Sequence, residues 1–372
     1  MEVLAVIAGV VLVVSVLADL TNTLVTTTTA QGRFWLTRVL YVQTWTIVRQ
    51  VGHLFGKESR RENLYATFAP LSVILMLLAW VAQQVLGFGL IWWGLGGVDG
   101  AAGLADSIYY SGVVYFTLGF GEIVPTDQVP RFGALIEAFS GVLTTALVIG
   151  YLPALYSAYS VREQKLLTLD DGTEGRMTPT NLVLARAPNG DPRQLDDFFA
   201  EWEAWVAQVM ETHTTFPMLM LFRSQHPGQH WITALGVVTD AALHMEMCEG
   251  SEGRAPYWMM RRSIRLLQHL TGHADLSAYR AELDEAYDDP TQFRELYDDL
   301  AAHGFPVKPF DEALAATREL RRHYDAPLEF MIDTLEAPRG FWGHAIGHRD
   351  HSLDELAARV DDAGPTIEWR KR

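Results

Sequence analysis

One cysteine, Cys248, stands in 372 residues. It can form no internal disulfide and no multi-cysteine metal site. Charge is scarce over the first 160 residues, which hold 7 Lys/Arg and 9 Asp/Glu. Basic charge is then outnumbered, with 22 Lys/Arg against 36 Asp/Glu in the remainder. A nearly uncharged half of net −2 is therefore joined to an acidic half of net −14. No basic face is left to bind phosphates, which excludes a nucleic-acid partner. The N-terminus lacks a basic segment and a small-residue cleavage site, and Glu2 is acidic, so a cleavable signal peptide is not expected. There is no catalytic triad, phosphate loop or complete metal site, and the chain does not read as an enzyme. It shows no solenoid-period repeat and no low-complexity tract.

What the first half has instead is long apolar runs. Residues 3–18, VLAVIAGVVLVVSVLA, carry no charge and no turn signal. With the residues that follow they reach about 20, enough to cross a bilayer as a helix. Residues 33–56 are amphipathic, with three arginines among many aromatics, and predict a helix in the membrane interface, with a true span as the alternative. The stretch 64–93 supplies a second span, uncharged from Ala66 to Trp93. Trp80, Trp92 and Trp93 are expected in an interfacial belt. Residues 131–160 supply a third span, interrupted only by Glu137. Thirty helical residues are about 45 Å long, so this helix should project beyond the hydrocarbon core.

Charge orients these spans. Arg33, Arg38, Arg49, Lys57, Arg60 and Arg61 lie between the first and second; Asp99, Asp106, Glu122 and Asp127 lie between the second and third. The positive-inside rule then puts the first loop in the cytoplasm and the second outside, with the N-terminus outside and the C-terminal half cytoplasmic. The expected organisation is a transmembrane helix over 1–29, an interfacial helix over 30–63, a pore domain over 64–160, a linker over 161–191 and an all-α cytoplasmic domain over 192–372. Helical patterns fall near 216–224, 231–248, 256–271, 276–286, 291–303, 310–334 and 353–362, and strand signals are scarce. The fold class is an all-α membrane protein.

Between the second and third spans lies DSIYYSGVVYFTLGFGEIVP, residues 106–125. Residues 105–116 are apolar but too short to span, and Thr117-Leu118-Gly119-Phe120-Gly121 follow. Irregular backbone inside a membrane is tolerated only where protein covers it or it lines water. Gly119 and Gly121 can adopt φ > 0 without a Cβ clash, which lets successive carbonyls turn to one axis. The C-terminal end of the short helix favours a cation beside it.

This region resembles the pore domain of the tetrameric potassium channel family, whose filter loop it matches with Leu for Val and Phe for Tyr. The resemblance covers 64–160. It implies a homotetramer in a plasma or bacterial inner membrane that conducts K+ passively, with no cofactor and K+ as the permeant ion. Thr117, Leu118, Gly119, Phe120 and Gly121 would bind the ion. Gly141 falls where the family places its gating glycine, and Gly150 and Pro153 supply bends nearby. Glu122 stands where the family usually has Asp. Tyr110 occupies the place of a Trp that bonds that acid, so a Tyr110–Glu122 hydrogen bond is expected as filter support. Phe116 and Val113 replace a threonine and a buried glutamate. No helix carries arginine at every third position, so a voltage sensor is not supported. No Gly-x-Gly-x-x-Gly follows a strand, so the soluble half does not resemble the nucleotide-binding domain of many prokaryotic members.

Two other readings remain open on the sequence: a weakly selective cation channel, and a membrane-anchored helical sensor or enzyme that does not conduct. The soluble half is expected to answer an unidentified ligand or protein. His244 with Cys248, His269 with His273, and the group His344, His348 and His351 have spacings that can bind metal but read as packing or surface histidines. Glu246 and Glu249 read as a solvated face. Phe216–Phe222 reads as core. Asp19 and Glu137 are intramembrane acids and so functional candidates.

Overall fold

The computed structural model describes residues 2–24, 35–55, 58–170, 178–224, 229–272, 274–286 and 290–338. They form two compact units, Met1–Ala158 with Thr214–Leu219, and Tyr159–His213 with Met220 onward. The expected helix 353–362 and the histidines at 273, 344, 348 and 351 lie outside the described residues.

In the first unit, α1 (Glu2–Leu24), α3 (Glu58–Leu95) and α5 (Gln128–Asp170) are long and apolar enough to cross a membrane. The helix α2 (Trp35–His53) is not among the candidate spans. Polar contacts hold α1 against α3. Asp19 is buried and accepts from Trp80 Nε1 at 3.0 Å, and the Gln83 amide donates to Ser15 Oγ at 2.7 Å. Such bonds matter where lipid offers no alternative partner. Trp80 is fully buried and Trp92 is 2% exposed. Neither belongs to an interfacial belt, because each indole N–H has a buried carboxylate to satisfy.

The short helix α4 (Leu104–Tyr115) follows α3 across a loop. A two-residue pair, β1 (Val98–Asp99) with β2 (Val124–Pro125), joins the loop before α4 to the segment after 117–121. Thr126 N–H adds a bond to Gly97 O at 2.9 Å. Both ends of the re-entrant segment are thus tied together.

The second unit begins with the last turns of α5. That helix continues through 161–170, where a linker is expected, because Leu166 and Leu169 are buried in the core of the second unit. The helix α6 (Pro179–Arg186) occupies more of the expected linker, capped by Thr178 Oγ1 on Asn181 N–H and opened by Pro179. A 3₁₀ turn (Pro192–Leu195) leads into α7 (Asp196–Thr215). The helix α8 (Trp231–Glu246) is buried along its whole length, as an apolar helix without a polar face must be. Against it pack α9 (Ala255–Thr271), α12 (Phe310–Arg321) and α13 (Asp325–Leu335); α10 (Ser277–Ala286) packs on α13, and α11 (Thr291–Ala302) meets α12 through Phe293 and Phe310. The pattern 310–334 is two helices, broken at Arg322–Tyr324. Tyr324 is fully buried there and donates to Asp240 at 2.5 Å, while Arg321 pairs with Asp240 and Asp325.

Candidate selectivity filter

The segment 117–121 grows out of the end of α4. Leu118 N–H bonds back to Val113 O at 2.8 Å and Thr117 N–H to Val114 O at 2.9 Å. These two bonds are a Schellman motif, and Thr117 holds the left-handed position usually given to glycine, at φ 57°. Gly119 (φ 62°) and Gly121 (φ 88°) are also left-handed, while Leu118 and Phe120 between them are not. The hand alternates residue by residue over 117–121, the pattern that can roll successive carbonyls to one side. For a β-branched residue φ > 0 is an outlier, and strain of this kind clusters at ligand sites.

All five residues are exposed on a single chain, with Leu118 at 55% and Phe120 at 65%. Nothing lies within 4 Å of an added Cβ at Gly119 or Gly121. Phe116 is exposed, and Val113 is buried behind the segment.

Glu122 is bonded by Tyr109, where a bond from Tyr110 is expected. Tyr109 OH donates to Glu122 Oε1 at 2.6 Å on the exposed side. Tyr110 faces inward, where its ring lies edge-on to Trp92 at 5.9 Å. One helical residue is about 100° of rotation, enough to exchange solvent face for core face.

The three candidate hinge positions separate. A Cβ on Gly141 would sit 2.2 Å from Tyr115 O, so Gly141 lets α5 press against the end of α4. Gly150 meets nothing, and Pro153 interrupts the hydrogen-bond ladder of α5. Between them, the Tyr151 ring packs edge-on against Phe216 at 5.4 Å, and its OH reaches Met218 Sδ at 3.3 Å. Tyr41 OH on α2 lies 3.6 Å from the same sulfur. The apolar stretch after α7 is a 3₁₀ turn, Pro217–Leu221, and its first residues belong with the membrane unit.

In the second unit, the buried Arg162 guanidinium at the end of α5 donates to Glu163 Oε1 at 2.8 Å and Phe222 O at 2.7 Å, and lies over the Tyr159 and Trp231 rings. Its Nη1 is 3.4 Å from His213 Nε2, and His213 Nδ1 is 2.8 Å from Val209 O. A neutral ring with the proton on Nδ1 satisfies both contacts. Burial, then the nearby Arg162 charge, pushes the His213 pKa down to about 3. Burial also pushes His244 down to about 3 and the Cys248 thiol up to about 12. The Cys248 thiol therefore stays protonated at neutral pH, and among the described residues no His/Cys/Asp/Glu group is placed to hold a metal ion. Glu246 is 8% exposed, not on a solvated face, and burial raises its carboxyl to about 7.

A family described as "Ion channel" matches residues 71–157. The uncharacterized membrane protein YdjJ of Bacillus subtilis (strain 168) is 30% identical over 145 residues, 38% of this chain and 40% of that protein. The chain thus spans well under half the length of that curated relative. No solved structure matches it.

Proposed function

We propose a function from the premise that residues 71–157 are a two-helix pore-loop ion-channel domain embedded in a membrane: the chain is one subunit of a homotetrameric K+-selective channel. The observation that carries this reading is the alternation of backbone hand through Thr117–Gly121 at the C-terminal end of α4. Four such segments around an axis would replace the hydration shell of K+ with carbonyls of Thr117, Leu118, Gly119 and Phe120 and the Thr117 hydroxyl. A single chain leaves this segment uncovered. It also exposes an apolar row on α5 that includes Phe132, Leu135, Phe139 and Val142. Neighbouring subunits would bury both. The charge asymmetry supports an outer position for the filter and a cytoplasmic second unit.

Gating is assigned to the α5 segment 149–153. Gly150 has no packing restraint, Pro153 removes a backbone donor, and Tyr151 is held by Phe216 and Met218. The chain leaves the helical half at 213 to make this contact and re-enters it at 220. A rearrangement of that half, driven by a ligand or protein partner, would reach the inner helix at its weakest point.

The test is flux from liposomes holding the purified full-length protein, with K+ compared against Na+. Wild type is expected to pass K+ and discriminate against Na+. Gly119→Asp, which forces a side chain onto a left-handed residue of the ion column, is expected to pass neither. Equal K+ and Na+ flux would sink the selectivity, and no flux from a well-folded tetramer would sink conduction.

A further inference from the structure

Glu137 lies on α5 within the candidate membrane span Gln128–Leu169, yet it is wholly buried. Its neighbours Ile136 and Phe139 are 62% and 67% exposed, so the chain spends its inward face at this level on a carboxyl group. Both oxygens are used. Trp92 Nε1, on α3, donates to Oε2 at 2.7 Å. Ser111 Oγ, on α4, is in contact with Oε1 and is also 2.9 Å from Val85 O on α3. Gly133, one turn before Glu137, makes room for the indole, since a Cβ there would sit 2.4 Å from the Trp92 ring. This site is built from three helices.

The proton count is informative. The contacts are Trp92 with Oε2, Ser111 with Oε1, and Ser111 with Val85 O. An indole supplies one proton, a serine hydroxyl one, and a carbonyl none. An ionised Glu137 would leave one of the three contacts without a hydrogen. A carboxylic acid completes them: its O–H donates to Ser111 Oγ, the Ser111 O–H donates to Val85 O, and the Trp92 N–H donates to the other Glu137 oxygen. Among the described residues no Lys, Arg or His pairs with Glu137. An unpaired carboxylate at this depth would carry a large desolvation cost, and a neutral acid avoids it.

We propose that Glu137 is kept as an un-ionised carboxylic acid that pins the pore helix to the helices on both sides and thereby positions the filter. Ser111 lies one turn before Tyr115, and the carbonyls of Val113 and Val114 receive the N–H groups of Leu118 and Thr117. A shift of α4 at Ser111 therefore moves the first filter residues directly. Gly141, four residues after Glu137 on the same face of α5, touches Tyr115 O, so the inner helix holds the end of the pore helix at two points. The Tyr109–Glu122 bond steadies the outer end of the filter; the Glu137 pin steadies its inner entrance. Glu137 touches no ion and is a positioning residue.

The role assigned to Glu137 rests on the conduction reading, and the experiment separates the two. Full-length wild type, Glu137→Gln, Glu137→Ala, Ser111→Ala and Trp92→Phe are purified, and each is measured by infrared spectroscopy and by K+ against Na+ flux in liposomes. Wild type at neutral pH is expected to show a protonated carboxyl C=O stretch that is missing from Glu137→Gln. A glutamine amide can donate to Ser111 and accept from Trp92, so Glu137→Gln is expected to keep its K+/Na+ ratio within about twofold of wild type. Ser111→Ala and Glu137→Ala are expected to lower that ratio by about tenfold, the usual consequence of orphaning a buried polar group. Trp92→Phe is expected to fall between. Should Glu137→Ala fail to assemble, Ser111→Ala and Trp92→Phe keep the local volume and carry the flux readout. The proposal is overturned if the carboxyl band is absent from wild type, if Glu137→Gln fails as Ala does, or if Ser111→Ala and Trp92→Phe match wild type. If wild type itself passes no cation, the conduction reading falls, while the carboxyl band still decides the state of Glu137.

Discussion

Thr117 shows what a single residue gives up for a site. Glycine would end α4 with less strain, since a left-handed L-residue costs about 1–2 kcal/mol. In the proposed filter, threonine would place a hydroxyl at the entrance to the carbonyl column, which glycine cannot. That choice was legible in the sequence because Thr-x-Gly-x-Gly sat between two spans. The support of Glu122 was not. Tyr109 and Tyr110 are adjacent and chemically identical, and only the rotation of α4 decides which reaches Glu122. The structure makes a paired prediction. Tyr109→Phe removes the exposed hydrogen bond to Glu122 and should shorten open bursts several-fold in single-channel recordings. Tyr110→Phe should leave bursts unchanged, because the Tyr110 hydroxyl has no hydrogen-bond partner among the described residues. The reverse result would restore Tyr110 as the supporting residue.

At the scale of elements, apolar run length located the three spans because an uncharged run of that length has few other uses. It could not locate where α5 ends. VREQKLLTLD looks like linker, yet Leu166 and Leu169 sit a turn apart and bury into the core of the second unit. Nor could spacing tell a packing glycine from a hinge, since both are simply glycines in a helix. Gly141 is packed against Tyr115 and Gly150 faces free space, which favours Gly150 as the proposed hinge. Gly150→Ala adds about 1 kcal/mol of helix propensity at a site with free space. It should therefore shift the balance between bent and straight α5 about fivefold, seen as a changed open probability with selectivity intact. Gly141→Ala drives a methyl group into the Tyr115 carbonyl. It should lower selectivity or tetramer yield, with no separate gating effect. A gating change in Gly141→Ala with unaltered selectivity would return the hinge to that position.

For the whole molecule, the acidic helical half hides its most informative residues from the sequence. His244 read as a packing or surface histidine and His213 and His230 fall in no motif, so nothing in the sequence reveals that all three are buried beside arginine charge. Their folded pKa values lie far below the ordinary 6.5, at about 3 for His213 and His244. Below 6.5 the unfolded chain takes up these protons and the folded chain does not. Acidification therefore withdraws about 1.4 kcal/mol per pH unit for each histidine, down to the folded value. Glu246 acts in the opposite sense. Its folded pKa of about 7 exceeds the ordinary 4.5, so between those values the folded chain holds the extra proton and gains on acidification. Three histidines outweigh one glutamate, and the helical half should lose stability steadily as pH falls from neutral toward 5. His244 isolates one contribution, because neither of its ring nitrogens has a hydrogen-bond partner among the described residues. His244→Leu should keep the fold and flatten the acid limb, measured as the urea midpoint of tryptophan fluorescence in the full-length protein across that range. A limb as steep as that of wild type would mean that His244 is not buried in its neutral form.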